Sequence, residues 1–290
     1  GFSPEIIIRF GAVPVSKWLN VYLDQISPAV RLHIRESGVW ADDSHHTTHF
    51  VQANETAVCQ QLLSRLPVKE NGEWVTAVTD TEVRTWAALE THLPKVLFAG
   101  AVVADVLELL PPESTLFMGN SSPIRYLDQY GRAQTKPIYA YASRGASGID
   151  GNLSTALGIH TIRQKPFVAI LGDITFYHDL NGLLALRNRN DELRNITIVL
   201  LYNNGGSIFN RLPIANIDPP FTELFLTPHG LDFELVVRMY GLDFVRVDGR
   251  DEFRHHLSHS LQDETPRVIE VRTDNQRDED RRREINGLVR

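Results

Sequence analysis

Two short apolar runs, about thirty residues apart, constrain this chain more than any other feature. Phe167-Val168-Ala169-Ile170-Leu171 and Ile196-Thr197-Ile198-Val199-Leu200-Leu201 are nearly continuous and rich in β-branched residues. Strands buried on both faces of a parallel sheet read this way. The first run ends in Gly172-Asp173 and the second in Asn203-Asn204-Gly205-Gly206, with a helical pattern over 180–188 between them. A strand, a helix and a parallel strand joined in this order form a βαβ unit with a right-handed crossover. Both polar ends then lie at the carboxyl edge of the sheet, where open α/β sheets bind ligands.

The same alternation runs through the chain. Further strands are expected over 6–10, 31–34, 115–118, 138–141, 244–247 and 268–272. Helical patterns fall over 15–23, 54–66, 82–92, 98–110, 149–162, 233–240 and 251–261. Strands alternating with helices of this size imply an α/β fold, a doubly wound and mainly parallel sheet covered on both faces. One break interrupts the pattern: Lys69-Glu70-Asn71-Gly72-Glu73 is polar and follows Pro67. The expected organisation is a smaller α/β piece over 1–66, a linker over 67–77 and a larger α/β domain over 78–290. The first piece has too few strands for a covered sheet, and is expected to be part of a domain that begins before Gly1.

Composition removes several function classes. The net charge of −7, with arginine scattered rather than gathered into a stripe, argues against a nucleic-acid partner, whose phosphates select a basic face. No run approaches the ~20 apolar residues of a membrane span. The first residues carry neither the basic segment nor the cleavage site of a signal peptide. Cys59 is the only cysteine, so no intrachain disulfide exists and a reducing, cytoplasmic setting fits. It reads as a small buried hydrophobe. The charge run from Arg277 to Arg283 reads as a solvated helix or tail. His45, His46 and His49 lack any carboxylate or cysteine at a zinc spacing and read as structural or solvated.

Asp173 and Asn203 carry the chemistry. They stand 30 positions apart, yet at the ends of neighbouring strands they come within a few ångströms, and both offer oxygen. A carboxylate, an amide oxygen and a backbone carbonyl suit magnesium, which completes its shell with phosphate oxygens and water. Gly205 and Gly206 are expected to let the backbone approach a ligand closely. Gly172-Asp173 followed about thirty residues later by Asn203 resembles the signature of thiamine-diphosphate enzymes. The resemblance implies a metal, Mg or Mn, held by Asp173, Asn203 and the Gly205 carbonyl. Two positions depart from the family pattern, Ile174 replacing a glycine and Tyr202 replacing an asparagine, and neither removes a ligating side chain.

Three segments narrow the resemblance to the menaquinone-pathway branch of that family, whose members decarboxylate 2-oxoglutarate and add the resulting succinyl unit to isochorismate. They are Gly119-Asn120-Ser121-Ser122-Pro123-Ile124-Arg125, Arg144-Gly145-Ala146-Ser147-Gly148-Ile149-Asp150-Gly151, and His178-Asp179-Leu180-Asn181-Gly182-Leu183 continued by 203–209. Residues 6–17 resemble the late part of the central domain in that branch. The resemblance implies that Ser121, Arg125, Arg144 and Lys17 contact substrate carboxylates, a task suited to the planar arginine fork. Phe209 and Leu212 would wall the reacting carbon. Ile149 would press on the cofactor, the Ser147 carbonyl would face its aminopyrimidine, and Gly172, Ile174, Gly206 and Ile208 would complete the cofactor's surroundings. Trp18 stands where the branch sometimes has an arginine. The activating glutamate belongs to an N-terminal pyrimidine-binding domain of the opposite subunit in a homodimer or tetramer, and no segment here matches it. The chain alone is therefore expected to be inactive. Acetolactate synthase-like chemistry and a non-catalytic diphosphate-binding module are the alternatives.

Overall fold

The central strands expected over 167–171 and 196–202 form over Phe167–Gly172 and Ile196–Tyr202 and pair in parallel register, Phe167 opposite Ile196 and Gly172 opposite Leu201. The structure is a computed structural model and describes residues 3–68, 70, 72–93, 97–189 and 192–288. Two compact units divide between Arg84 and Thr85.

The first unit holds β1 (Ile6–Phe10), α1 (Lys17–Gln25), β2 (Val30–Ile34), β3 (His49–Val51) and α2 (Glu55–Leu63). Its three strands form a parallel sheet in the order β1-β2-β3. The Ser16 hydroxyl caps α1 by accepting the Leu19 N–H, and Asn54 caps α2 by accepting from Ala57, each satisfying one of the donors a helix start leaves open. These caps set the starts that hydrophobic period alone placed a residue or two early. Cys59 lies on the exposed side of α2, not in a core as expected, because α2 buries none of its residues.

Helix α3 (Glu73–His92) runs across the division between the units. It starts well before position 82, so part of the expected linker is helical. Glu73 in its first turn favours that earlier start by meeting the positive end of the helix dipole. Lys69 and Asn71 of the expected linker lie outside the described residues.

The second unit continues with α4 (Ala99–Leu109), β4 (Thr115–Met118), α5 (Ser122–Tyr130), β5 (Tyr139–Tyr141), α6 (Asn152–Arg163), β6 (Phe167–Gly172), α7 (Asp173–Asp179), α8 (Leu183–Asn188) and β7 (Ile196–Tyr202). Beyond them come α9 (Phe233–Met239), β8 (Asp243–Val247), α10 (Arg250–Ser260), β9 (Arg267–Arg272) and α11 (Asn275–Leu288). Six strands form one all-parallel sheet in the order β5-β4-β6-β7-β9-β8. From β4 the chain steps outward to β5, then returns to β6 on the other side and continues to β7. That reversal opens a crevice at the carboxyl ends of β4 and β6, the place where doubly wound sheets hold ligands.

A full core holds this edge in place. Every residue from Phe167 to Leu171 is buried, and Phe117, Leu153, Phe176, Leu183, Ile198, Leu200 and Phe233 pack together on one face. The charge run expected as a solvated helix or tail is α11, and Asp278 and Glu279 on it are buried. Glu279 accepts from Arg282 and Arg283, which offsets the cost of taking its charge out of water. No helix among the described residues is long and apolar enough to cross a membrane.

Candidate active site

Asp173 begins α7 immediately after β6, ahead of the helix expected from position 180, and the residue is 2% exposed. A buried carboxylate needs donors. Its Oδ1 accepts the Ile174 N–H at 2.8 Å, and its Oδ2 accepts the Asn203 N–H at 3.0 Å and the Gly205 N–H at 3.2 Å. The strand ends that sequence placed side by side are thus joined by hydrogen bonds. Asn203 donates its Nδ2 to the Ser207 hydroxyl at 2.8 Å, which fixes the amide orientation. Its Oδ1 is left buried with no hydrogen-bond partner. The Gly205 carbonyl accepts one N–H, from Ser207 at 2.9 Å, and a carbonyl oxygen has a second lone pair.

The two glycines, expected to admit a ligand, also line the cavity at this site, and the structure adds a second cause. Gly205 has φ +147°, and a Cβ there would meet the Leu226 carbonyl oxygen at 2.2 Å. A Cβ on Gly206 would meet the Phe225 carbonyl oxygen at 2.4 Å. The chain's own backbone, in the π-helical turn Thr222–Leu226, excludes side chains at both positions.

A cavity of about 340 Å³ opens above this pair, between the loops that follow β4, β5, β6 and β7. It gathers Ser121, Ser147, Ile149, Gly172, Asp173, Ile174, Asn203, Gly205, Gly206, Ile208 and Phe209, all singled out by sequence. Ile149 reaches it from a loop, because Gly151, with φ +63°, delays the start of α6 to Asn152 rather than 149. Asp173 and Tyr126 are the titratable side chains in the lining. Burial pushes the Tyr126 phenol up to about 12, aided by the charge of Asp278, so it stays neutral near pH 7. The cavity therefore binds and orients, and has little of its own with which to move protons.

Arg125 and Arg144 lie beside the cavity rather than in its lining. Arg125 donates to the Ser121 carbonyl, and Arg144 to the Asn120 Oδ1 at 3.1 Å. Burial holds the Arg125 pKa below its ordinary value, and the like charges of Arg144 and Arg211 add to that. Asp128 does not neutralise it, since the Asp128 pKa is raised by burial alone. Arg211, missed from sequence, is close enough for its charge to be felt at Arg125, and is itself paired with Glu279, Nε to Oε2 3.8 Å. Asn120 and Asn152 were also missed: Asn120 is fully buried, and both amides donate to the Gly148 carbonyl. The Asn120 N–H also donates to the Asn152 Oδ1 at 3.3 Å. Ser121 takes φ +70°, an uncommon conformation for a residue with a side chain. Leu212 is 46% exposed and outside the lining. Lys17 begins α1 in the first unit. His45, His46 and His49 form no cluster that could hold a metal among the described residues.

Residues 121–271, just over half of the chain, match the family described as thiamine pyrophosphate enzyme, C-terminal TPP binding domain. The chain belongs to the thiamine pyrophosphate enzymes. A 2-succinyl-5-enolpyruvyl-6-hydroxy-3-cyclohexene-1-carboxylate synthase of Roseiflexus sp. (strain RS-1) is 50% identical over 281 residues, 96% of this chain and 48% of its own length. The protein of the same name from Roseiflexus castenholzii (strain DSM 13941 / HLO8) is 50% identical over 288 residues, 99% of this chain and 48% of its own. That of Halobacterium salinarum (strain ATCC 29341 / DSM 671 / R1) is 40% identical over 271 residues, 93% and 46%. The chain spans about half the length of the curated relatives it matches.

The residues present fit a thiamine pyrophosphate enzyme's metal-diphosphate group. An orphaned buried oxygen on Asn203, a buried carboxylate and a half-used carbonyl form an all-oxygen donor set, the set a small hard cation takes.

Proposed function

We propose that this chain is the diphosphate-binding and substrate-carboxylate-binding portion of a 2-succinyl-5-enolpyruvyl-6-hydroxy-3-cyclohexene-1-carboxylate synthase, dependent on thiamine diphosphate and magnesium. The observation that carries this reading is the buried Asp173 carboxylate, bound to the Asn203 backbone N–H, together with the unpartnered Asn203 side-chain oxygen in one cavity lining, with Arg125 and Arg144 beside it. An all-oxygen cradle beside concentrated positive charge suits a cation-bound diphosphate next to carboxylate substrates, here 2-oxoglutarate and isochorismate.

Thiamine diphosphate, when bound, supplies the electron sink that lets a 2-oxo acid lose carbon dioxide. The protein's part is placement. Asp173, Asn203 and the Gly205 carbonyl hold the metal. Ile149, Ile174, Ile208 and Phe209 give the cavity apolar walls that exclude water and strengthen each charge contact inside. Arg125 and Arg144 take substrate carboxylates, a role favoured by planar forks with no ion pair to a carboxylate among the described residues. The protein acts in the cytoplasm as a homodimer or tetramer, in which a pyrimidine-binding domain supplies the activating glutamate.

The test uses the full-length protein with isochorismate and either 2-oxoglutarate or pyruvate. Metal-dependent turnover with 2-oxoglutarate is expected, and Arg144→Ala raises the KM of a carboxylate substrate at least tenfold. Equal turnover with pyruvate, or none with isochorismate, overturns the assignment.

A further inference from the structure

The turn after the Thr222–Leu226 segment brings a histidine against the buried aspartate. His229 Nε2 lies 3.3 Å from Asp173 Oδ2, and the two side chains are 16% and 3% exposed. That nitrogen is buried and makes no hydrogen bond to any described group, so its approach to Asp173 is a charge contact and not a formed hydrogen bond. The other ring nitrogen, Nδ1, accepts the Leu231 N–H at 3.1 Å. A nitrogen that accepts carries no hydrogen in the neutral ring, so the hydrogen sits on Nε2, the ring nitrogen 3.3 Å from the carboxylate.

Three contacts fix the ring in that place. Its edge packs on Tyr202, with centroids 5.4 Å apart, and on Phe233, at 5.9 Å. The turn itself is tied to the metal loop, because Asn204 Oδ1 accepts both the His229 N–H at 3.1 Å and the Gly230 N–H at 2.8 Å. Oδ2 of Asp173 therefore faces two backbone donors and the imidazole. Oδ1 accepts the Ile174 N–H alone.

We propose that His229 is a positioning residue of the metal site. Its Nε2–H, 3.3 Å from Oδ2, attracts that oxygen electrostatically, so that Oδ1 is the oxygen presented to the cation. This rests on the reading of Asp173 as a metal ligand given above. Groups that orient a ligating side chain from behind typically contribute 10–100-fold in metal affinity. Packing alone would not require a donor here, and that difference makes the role testable.

The probe is Mn²⁺ uptake by the full-length protein with thiamine diphosphate present, followed by the electron paramagnetic resonance signal of free Mn²⁺. The variants are His229→Leu, which fills the space without a donor, and His229→Gln, which keeps an N–H. The expected result is a 10–100-fold weaker Mn²⁺ affinity in H229L and recovery to within a few-fold of wild type in H229Q. Equal affinity in H229L and wild type overturns the proposal, and so does equal weakening in H229L and H229Q. Failure of the wild-type protein to take up Mn²⁺ removes the metal reading itself, and this inference with it.

Discussion

The sheet of the first unit and the sheet of the second are both parallel throughout, and both begin from β-branched runs. In the first, Ile6 and Ile8 of β1 are 56% and 42% exposed, and α1 and α2 bury no residue. In the second, β4, β6 and β7 are buried almost end to end. The difference lies in layers rather than strands: six strands with helices on both faces close a core, and three strands with two short helices do not. The closed sheet holds several buried polar residues at its carboxyl edge, Asp173 and Asn120 among them, where the first sheet, among the described residues, has His33 in β2.

The sharpest test of that contrast is Asp173→Asn, which keeps the shape and removes the charge. Mn²⁺-dependent thiamine diphosphate binding by the full-length protein, measured calorimetrically, is expected to weaken on the order of 100-fold or more, about 2.7 kcal/mol, with the far-ultraviolet circular dichroism unchanged. Next in size are paired core truncations. Ile170→Ala in β6 should destabilise by about 2–5 kcal/mol, and Ile8→Ala in β1 by under about 1 kcal/mol, in urea unfolding. Equal effects would break the comparison. Gly205→Ala should cost about 2–3 kcal/mol in the same assay, through its φ and its approach to Leu226.

A further expected effect depends on pH. Burial pushes the Asp278 carboxyl up to about 7 from an ordinary 3.8, against the pull of Thr273, the Ala99 N–H and Arg211. Between about pH 4 and 7 the folded state keeps a proton that the unfolded chain has lost, so stability falls as pH rises through that window. Asp278→Asn should therefore melt close to wild type at pH 4 and several degrees higher at pH 8. A constant offset across the range would show that burial of the charge is not the cause.

The parts of this molecule legible in sequence were those with strong local periodicity or a fixed order along the chain. β1, β4 and β7 fall where the apolar runs put them, and β6 extends by one residue to Gly172. β3 escaped notice because three half-exposed residues carry no pattern. α5 escaped because its first residues, Ser122 and Pro123, sit in a motif that reads as chemistry before it reads as a helix start. Asp173 and Asn203 were legible because each ends an apolar strand. His229 and Arg211 were not, since their partners lie 56 and 68 positions away and only the folded turn and α11 bring them there. The second reason for Gly205 and Gly206 was hidden in the same way, in the carbonyls of Phe225 and Leu226.

The wedge of those carbonyls against the glycine pair also bears on how quickly a cation comes and goes. The loop from Asn203 to Ser207 is locked from below by backbone on one side and by Asp173 on the other. Its ordering is completed during folding, so ion capture costs little further chain entropy. Capture of a cation at the proposed site should then follow the rate at which water leaves the metal, as in solution, and not the rate of a loop opening.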